Sequence, residues 1–173
     1  MKVSVRLLEE KDLPAADRIF RLAFGTFTGH PEPEKFGGDI DKIHTRWLAD
    51  PAAAFAAEID GELVASIFVT HWGSVGYFGP LTVRPDLWDL GIAQRLLEPT
   101  MELFAQWKTK HAGLYTFAHS PKHLALYQKY EFWPRFLTAI MAKSVIQKEP
   151  GACNGPQFFG HRSHLNQAAK GKA

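Results

Sequence analysis

Hydrophobic residues along the first third of the chain follow two different spacings. The run Val3-Ser4-Val5-Arg6-Leu7-Leu8 predicts a first β-strand. Apolar side chains from Leu13 to Phe27 then recur every three or four residues, as they do on one face of a helix, and Asp12 is expected to cap that helix. A loop rich in Pro and Gly over residues 29–38 separates it from a second helix over 39–49.

The middle of the chain has the pattern of consecutive antiparallel strands. Strands are predicted over residues 54–59, 63–71 and 75–83. Asp60-Gly61 lies between the first two and is typical of a type I′ hairpin turn. A helix is predicted after Gly91, and Pro99 within it is expected to kink it or loosen one turn.

Shorter elements are predicted toward the end of the chain. A continuous apolar run over 113–118 predicts a buried fifth strand, residues 121–130 a short helix and residues 136–145 a last strand. From residue 149 onward Pro, Gly, Asn and scattered basic residues predict a loose tail, which gives one domain over 1–148 and a tail over 149–173. This order of elements indicates an α/β (α+β) fold with a mixed sheet.

Composition and charge exclude several classes of protein. The 173 residues are 46% hydrophobic and 22% charged with a formal net charge of +2, as in an ordinary globular domain. The charge balance argues against nucleic acid as a partner, and the lack of an apolar run near the required ~20 residues argues against a membrane span. A single cysteine, Cys153, and no signal-like N-terminus predict the cytoplasm. Cys153, His161 and His164 lie in the predicted tail without a fourth ligand, so no metal site is predicted.

The segment from Leu81 to Leu97 carries the clearest chemical signal. A predicted strand leads through a turn into a helix whose start contains the small residues Gly91 and Ala93. The first N–H groups of a helix have no partner within it, and the helix dipole adds positive potential, so such a turn binds anions. The expected ligand is a phosphate or pyrophosphate. The turn lacks both the Gly-x-Gly-x-x-Gly spacing and the Gly-Lys-Ser/Thr of a P-loop.

The order of elements and two motifs resemble the GNAT superfamily of acyl-CoA N-acyltransferases. One family pattern is Val-x-Pro-x-x-(Arg/Gln)-x-x-Gly-x-(Gly/Ala), and Trp88 stands here at its Arg/Gln position. The residues that match it are Val83, Pro85, Gly91 and Ala93. The second pattern is a Tyr shortly before Gly-Phe, represented by Tyr127, with Glu131 in place of Gly before Phe132. The resemblance spans residues 3–145.

This resemblance implies both a fold and a cofactor site. The sheet would be mostly antiparallel, with a V-shaped opening between strands 4 and 5 and helices on both faces. Acetyl-CoA would lie in the opening, with its pantetheine arm against the fourth strand and its pyrophosphate on the turn. The implied cofactor-binding residues are Leu81, Thr82, Val83, Trp88, Leu90, Gly91, Ile92, Ala93, Gln94 and Ser120.

The implied reaction moves an acetyl group from acetyl-CoA to a primary amine of a small molecule or peptide, through a tetrahedral intermediate. Tyr127 would protonate the departing thiolate, because a phenol with an ordinary pKa of about 10 is protonated at neutral pH. A backbone N–H near Thr82 or Val83 would bind the oxyanion. The general base is not evident. Candidates are His71 at the end of the third strand, His119 after the fifth strand, and Glu58.

Other interpretations stay open at this point. Trp88 and Asp89 are unusual beside an anion site, and Asp89 is itself a candidate helix cap, which favours a module that binds acyl-CoA or a metabolite without turnover. A third interpretation is a structural domain in which Gly91 and Ala93 only allow close packing. Aromatic residues near the first two helices suit an apolar amine, but a helix core explains them equally well. A homodimer is also left open.

Overall fold

The computed structural model describes residues 2–136, which form a five-stranded sheet with helices on both faces. The strands are β1 Val3–Leu7, β2 Ala54–Ile59, β3 Glu62–Trp72, β4 Val75–Val83 and β5 His111–Gly113. The helices are α1 Leu13–Thr28, α2 Lys42–Ala49, α3 Ile92–Gln106 and α4 Pro121–Gln128. The predicted mixed, mostly antiparallel sheet is confirmed: β1 to β4 run antiparallel in chain order, and β5 is parallel to β4.

The hairpin between β2 and β3 forms as its sequence predicts. Ile59 pairs with Glu62, which leaves a two-residue turn. Asp60 and Gly61 both have positive φ, 52° and 83°, as a type I′ turn requires. The next pair is less regular. Between Ile67 and Val69 the register with β4 shifts by one residue, so a β-bulge containing Gly79 bends β4 just before its last residues.

The sheet opens between β4 and β5, as the resemblance implies. The two strands pair only from Val75 with His111 to Tyr77 with Gly113, whereas β4 continues to Val83. The bounds predicted for the fifth strand, 113–118, are therefore wrong. The chain leaves the sheet after Gly113, and Phe117 packs instead against Phe27 of α1, with ring centroids 4.7 Å apart.

Two hydrophobic cores cover the two faces of the sheet. On one face α1 and α2 pack against β2 and β3, with Phe20 and Phe68 both buried there. On the other face α3 packs against β3 and β4, where Phe78 and Phe104 are in contact and Tyr127 of α4 joins them. Because alternate residues of a strand point to opposite faces, one central sheet supplies both cores.

Three local predictions differ from the structure. Asp12 does not cap α1: it ends a short 3-10 turn, where its Oδ2 accepts from Glu9 N–H at 2.9 Å and its carboxylate binds Arg6. α2 begins at Lys42 rather than at residue 39, and α4 ends at Gln128 rather than at residue 130.

Pro99 does not interrupt the helix. α3 runs unbroken from Ile92 to Gln106. Proline removes only the donor that would bond the carbonyl of Arg95, and Arg95 is an exposed residue. One residue further on, Thr100 donates its hydroxyl to the Leu96 carbonyl at 2.8 Å.

The predicted strand over 136–145 lies outside the described residues except for Phe136, and the tail from 149 onward lies outside them entirely. Within residues 2–136, no helix combines the length and apolarity that crossing a membrane requires.

Candidate functional site

A cavity of about 600 Å³ lies where β4 and β5 diverge. Its walls come from α1, the end of β4, the turn into α3, and the segment from Phe117 through α4. The sequence-predicted residues that line it are Leu81, Thr82, Val83, Trp88, Gly91, Ile92, Ala93, Gln94, Ser120 and Tyr127. Leu90 belongs to the same turn but is exposed outside the lining.

The turn into α3 has the geometry of an anion-binding loop. Gly91 is the N-cap residue with φ 76°, and within the described chain no side chain caps this helix. The N–H groups of Ile92 and Ala93 therefore remain available at the positive end of the helix dipole. A Cβ built on Gly91 would have nothing within 4 Å, so the space above the turn is open. The residues present thus fit the pyrophosphate of a CoA thioester.

Asp89 does not compete for these N–H groups. Instead of capping α3, its Oδ2 accepts from Lys122 Nζ of α4 at 2.5 Å. Asp89 itself has a left-handed backbone, φ 64°. This ion pair connects the turn to α4 across one side of the cavity lining.

The lysine side chains on the cavity lining belong to α4 and to its C-cap residue, not to the turn between β4 and α3. Lys122 and Lys129 both line it. Arg84 is instead held between Glu62 and Asp86, at 2.6 and 2.8 Å. Sequence analysis missed the two lysines because they lie more than 30 residues after Gly91 in the sequence.

The free side of β4 presents backbone groups to the opening. The N–H of Arg84 donates to Val64 of β3 at 2.9 Å, so the peptide groups of Arg84 face β3. Peptide groups alternate in direction along an antiparallel strand. Those of Thr82 therefore also face β3, and those of Leu81 and Val83 face the cavity, where a pantetheine amide would need them.

Trp88 fastens the turn to the end of β4. Its Nε1–H donates to the Val83 carbonyl at 2.8 Å. The indole N–H is consequently engaged with the backbone rather than directed at an anion. This hydrogen bond occupies the Val83 carbonyl, which faces the opening. The peptide groups of Leu81 therefore remain for pairing with a ligand.

Tyr127 is a buried residue of the cavity lining. Its side chain packs against Phe78, with ring centroids 5.7 Å apart, and is buried. Burial raises the pKa of Tyr127 to about 12, so the phenol is protonated over the whole neutral range. Three residues later, just after α4, Tyr130 donates its hydroxyl to the Gln94 carbonyl of α3 at 3.0 Å.

The candidate bases are placed apart from this cavity. His71 is exposed at the end of β3 and stacks on Trp107. Glu58 lies on β2, where it binds Arg6. His119 is exposed beside the Phe27 ring but does not line the cavity. Ser120 does line it, as the N-cap of α4, with its Oγ accepting from the backbone N–H of His123 at 3.4 Å.

His123 lines the cavity and was missed by sequence analysis. Its ring lies 4.9 Å from that of Phe27 and 6.2 Å from that of Phe117. Burial, with a smaller contribution from the nearby His119, lowers the pKa of His123. The signal available in the sequence was its position four residues before Tyr127, which places the two on one face of a helix.

The described residues hold no group of three His, Cys, Asp or Glu side chains arranged for a metal ion.

An uncapped helix start beside a splayed strand edge, on a sheet of this order, defines an acetyltransferase fold. Residues 16–132 match the family model of the acetyltransferase (GNAT) family, and the chain belongs to that family. The family uses acetyl-CoA. A comparison with curated protein sequences finds no match.

Solved structures show the same fold. The protein PH1933 of Pyrococcus horikoshii OT3 has a TM-score of 0.68 and 17% identity, over 80% of this chain and 94% of that one. The PaiA N-acetyltransferase of Thermoplasma acidophilum, solved with coenzyme A, has a TM-score of 0.63 and 17% identity, over 75% and 89%. The ribosomal-protein-S18-alanine N-acetyltransferase of Escherichia coli has 0.58 and 21%, over 75% and 76%.

Proposed function

We propose that this protein transfers an acetyl group from acetyl-CoA to a primary amine of a small molecule or peptide. The observation that carries the proposal is that Tyr127 lines the same cavity as the uncapped turn at Gly91. A proton donor and an uncapped helix start thus line one cavity of about 600 Å³. Family membership and the CoA-bound neighbour from Thermoplasma acidophilum support the same assignment.

Each part of the site has a physical role in this reaction. The N–H groups of Ile92 and Ala93 bind the pyrophosphate, and the peptide groups of Leu81 hold the pantetheine arm along β4. A backbone N–H facing the opening, at Leu81 or Val83, stabilises the oxyanion formed when the amine attacks the thioester. Tyr127 donates its hydroxyl hydrogen to the sulfur as the C–S bond breaks.

The acceptor end of the cavity favours an amine with an apolar body. Phe24 and Phe27 of α1 line it together with Phe117, and the Phe24 and Phe117 rings lie 6.1 Å apart. Of the carboxylates in the described chain, the one on the lining is Asp89, which Lys122 already neutralises. An aromatic or alkyl amine is therefore a better match for these walls than a polycation.

Two measurements test the proposal. Calorimetric titration with acetyl-CoA should give saturable binding, and thiol release should then appear with a panel of 2-phenylethylamine, spermidine, kanamycin and a peptide with N-terminal alanine. Tyr127→Phe should lower kcat by roughly 10²-fold or more while acetyl-CoA binding stays unchanged. Tyr115→Phe, which changes an exposed tyrosine outside the lining, is the matched control. Unchanged turnover in Tyr127→Phe would remove the acid role.

A non-catalytic acyl-CoA sensor is the second candidate. The hydrogen bond from Trp88 to Val83 favours it, because it occupies a carbonyl that faces the opening. A sensor would bind acetyl-CoA in the calorimeter and release no thiol with any amine of the panel. An enzyme would bind acetyl-CoA and also release thiol with at least one amine.

A further inference from the structure

We infer that His123 accepts the proton of the attacking amine and works with Tyr127 as a relay across the cavity. The inference rests on the proposed function and assigns its missing base. Both side chains line the same cavity. They are four residues apart on α4, so they share one face with Cβ atoms roughly 5–6 Å apart. That separation leaves room for a tetrahedral carbon between a base on the amine side and an acid on the sulfur side.

The surroundings of His123 keep its ring available for this role. Phe27 of α1 and Phe117 contact the ring with apolar surface. Among the described residues outside α4, His119 is the titratable group that affects the pKa of His123, and it lowers it. On α4 itself, Lys122 is engaged by Asp89, and Tyr127 is neutral. No carboxylate among these neighbours holds the imidazole in its protonated form.

The two ring nitrogens are in different positions. Nδ1 is buried and has no hydrogen-bond partner among the described residues. Because Nδ1 is enclosed, Nε2 is the nitrogen that can meet a substrate. Nε2 accepts a proton only when the neutral ring carries its hydrogen on Nδ1, and burial disfavours the charged form of that ring. His123 also lies in the first turn of α4, where the helix dipole opposes positive charge.

Tyr127 alone is a poor source of the proton that sulfur needs. With a pKa of about 12, the buried phenol is a weaker acid than a thiol, whose ordinary pKa is about 8.5. A complete transfer from Tyr127 to the thiolate is therefore uphill unless the phenolate is reprotonated. A protonated His123 is a much stronger acid than either group and supplies that proton.

The proton balance then closes within the site. The neutral amine nitrogen bonds to the thioester carbon, and one of its protons moves to Nε2 of His123. As the C=O bond re-forms, the C–S bond breaks and sulfur takes the hydroxyl proton of Tyr127. The imidazolium of His123 returns a proton to the Tyr127 oxygen through one water. The products are an amide and the CoA thiol, with both side chains in their starting states.

The test compares His123→Gln with the wild type, using the panel amine that the wild type acetylates fastest. We expect kcat/KM at neutral pH to fall by roughly 10²-fold and acetyl-CoA affinity to stay within about twofold. At acidic pH the wild-type kcat/KM should fall with protonation of both the amine and His123, and the variant should keep only the part of this fall that is due to the amine. Imidazole added to His123→Ala should restore part of the rate. His44→Gln, which changes an exposed histidine of α2 that contacts Asp41 and does not line the cavity, is the control.

The possible results separate the two proposals. Wild-type kinetics and pH profile in His123→Gln, or a loss seen only as weaker acetyl-CoA binding, would overturn the base role and leave the acetyltransferase assignment standing. A wild type that binds acetyl-CoA and releases no thiol with any amine of the panel would overturn the proposed function and this inference together.

Discussion

Trp88 donates its indole N–H to the carbonyl of Val83 at 2.8 Å, so the turn before α3 is tied back to the last residue of β4. The family pattern has Arg or Gln at this position. Here a neutral ring stabilises the turn through the backbone, and the positive charge comes from lysines 122 and 129 at α4. No side chain of the described residues caps the start of α3, and the lysines on the lining come from a later segment of the chain.

The first prediction concerns this hydrogen bond. Trp88→Phe retains an aromatic ring on the lining but loses the N–H, so the free energy of unfolding should fall by about 1 kcal/mol, the usual net value of one hydrogen bond. Urea denaturation measures the change. Trp133→Phe alters an exposed tryptophan and should have no comparable effect. Equal stabilities for the two variants would show that the bond does not stabilise the turn.

Gly91→Ala tests the backbone of the anion-binding turn. The φ of 76° is unfavourable for alanine, so the variant should lose about 1–2 kcal/mol of stability and bind CoA more weakly. Gly113→Ala is a close control, because a Cβ at either position has nothing within 4 Å and Gly113 does not have positive φ. If both variants unfold at the same urea concentration, conformational strain at residue 91 is not the cause.

The ion pair between Asp89 and Lys122 predicts two opposite effects on CoA binding. Asp89→Asn removes a negative charge and releases Lys122, so calorimetry should show roughly two- to fivefold tighter binding; Lys122→Gln should weaken binding by a similar factor. Both differences should shrink at high salt, since the two side chains are exposed and screened. Lys11→Gln breaks the distant exposed pair with Glu9 and serves as the control. Tighter binding by Lys122→Gln would contradict the assignment.

Asp12 predicts a pH-dependent stability. Hydrogen bonds from Arg6 are the largest cause that holds the pKa of Asp12 below its ordinary 3.8. A lowered pKa stabilises the fold above the unfolded value, and that contribution is lost as pH falls through the folded value. Asp12→Asn should therefore cost about 2 kcal/mol at pH 7, with the gap closing below pH 3.8.

Denaturation curves across the acid range check this prediction. Asp86→Asn removes an exposed partner of Arg84 and should change stability little at any pH. A gap between Asp12→Asn and the wild type that stays constant down to pH 2 would mean that the ionised carboxylate contributes nothing.

Sequence reasoning succeeded where local residues determine local geometry. Asp60-Gly61 fixes the hairpin because both positions need positive φ, and the three- and four-residue spacing from Leu13 onward fixes the buried face of α1. It failed where contacts with distant segments determine the local structure. The apolar run after Gly113 has the composition of a strand, but β4 has already diverged, so Phe117 packs on α1 instead.

The same distinction holds for the site. The motif residues around Gly91 were predicted together and line one cavity. The role of Asp12 was predicted incorrectly although its partner is close in sequence, because Arg6 of β1 binds the carboxylate that was expected to cap the helix. His123 was missed because its environment depends on Phe27 of α1, nearly 100 residues earlier in the chain.

The divergence of β4 and β5 has a consequence for the folded state without ligand. Leu81 and Val83 belong to a strand whose neighbour has turned away, and an exposed strand edge is a template for pairing with another chain. An extended molecule lying in the opening takes the place of a strand that the sheet lacks there. Ligand at a hundred times its Kd would add about 2.7 kcal/mol to the stability. A ligand that pairs with this edge would therefore also keep the edge from pairing with a second copy of the chain.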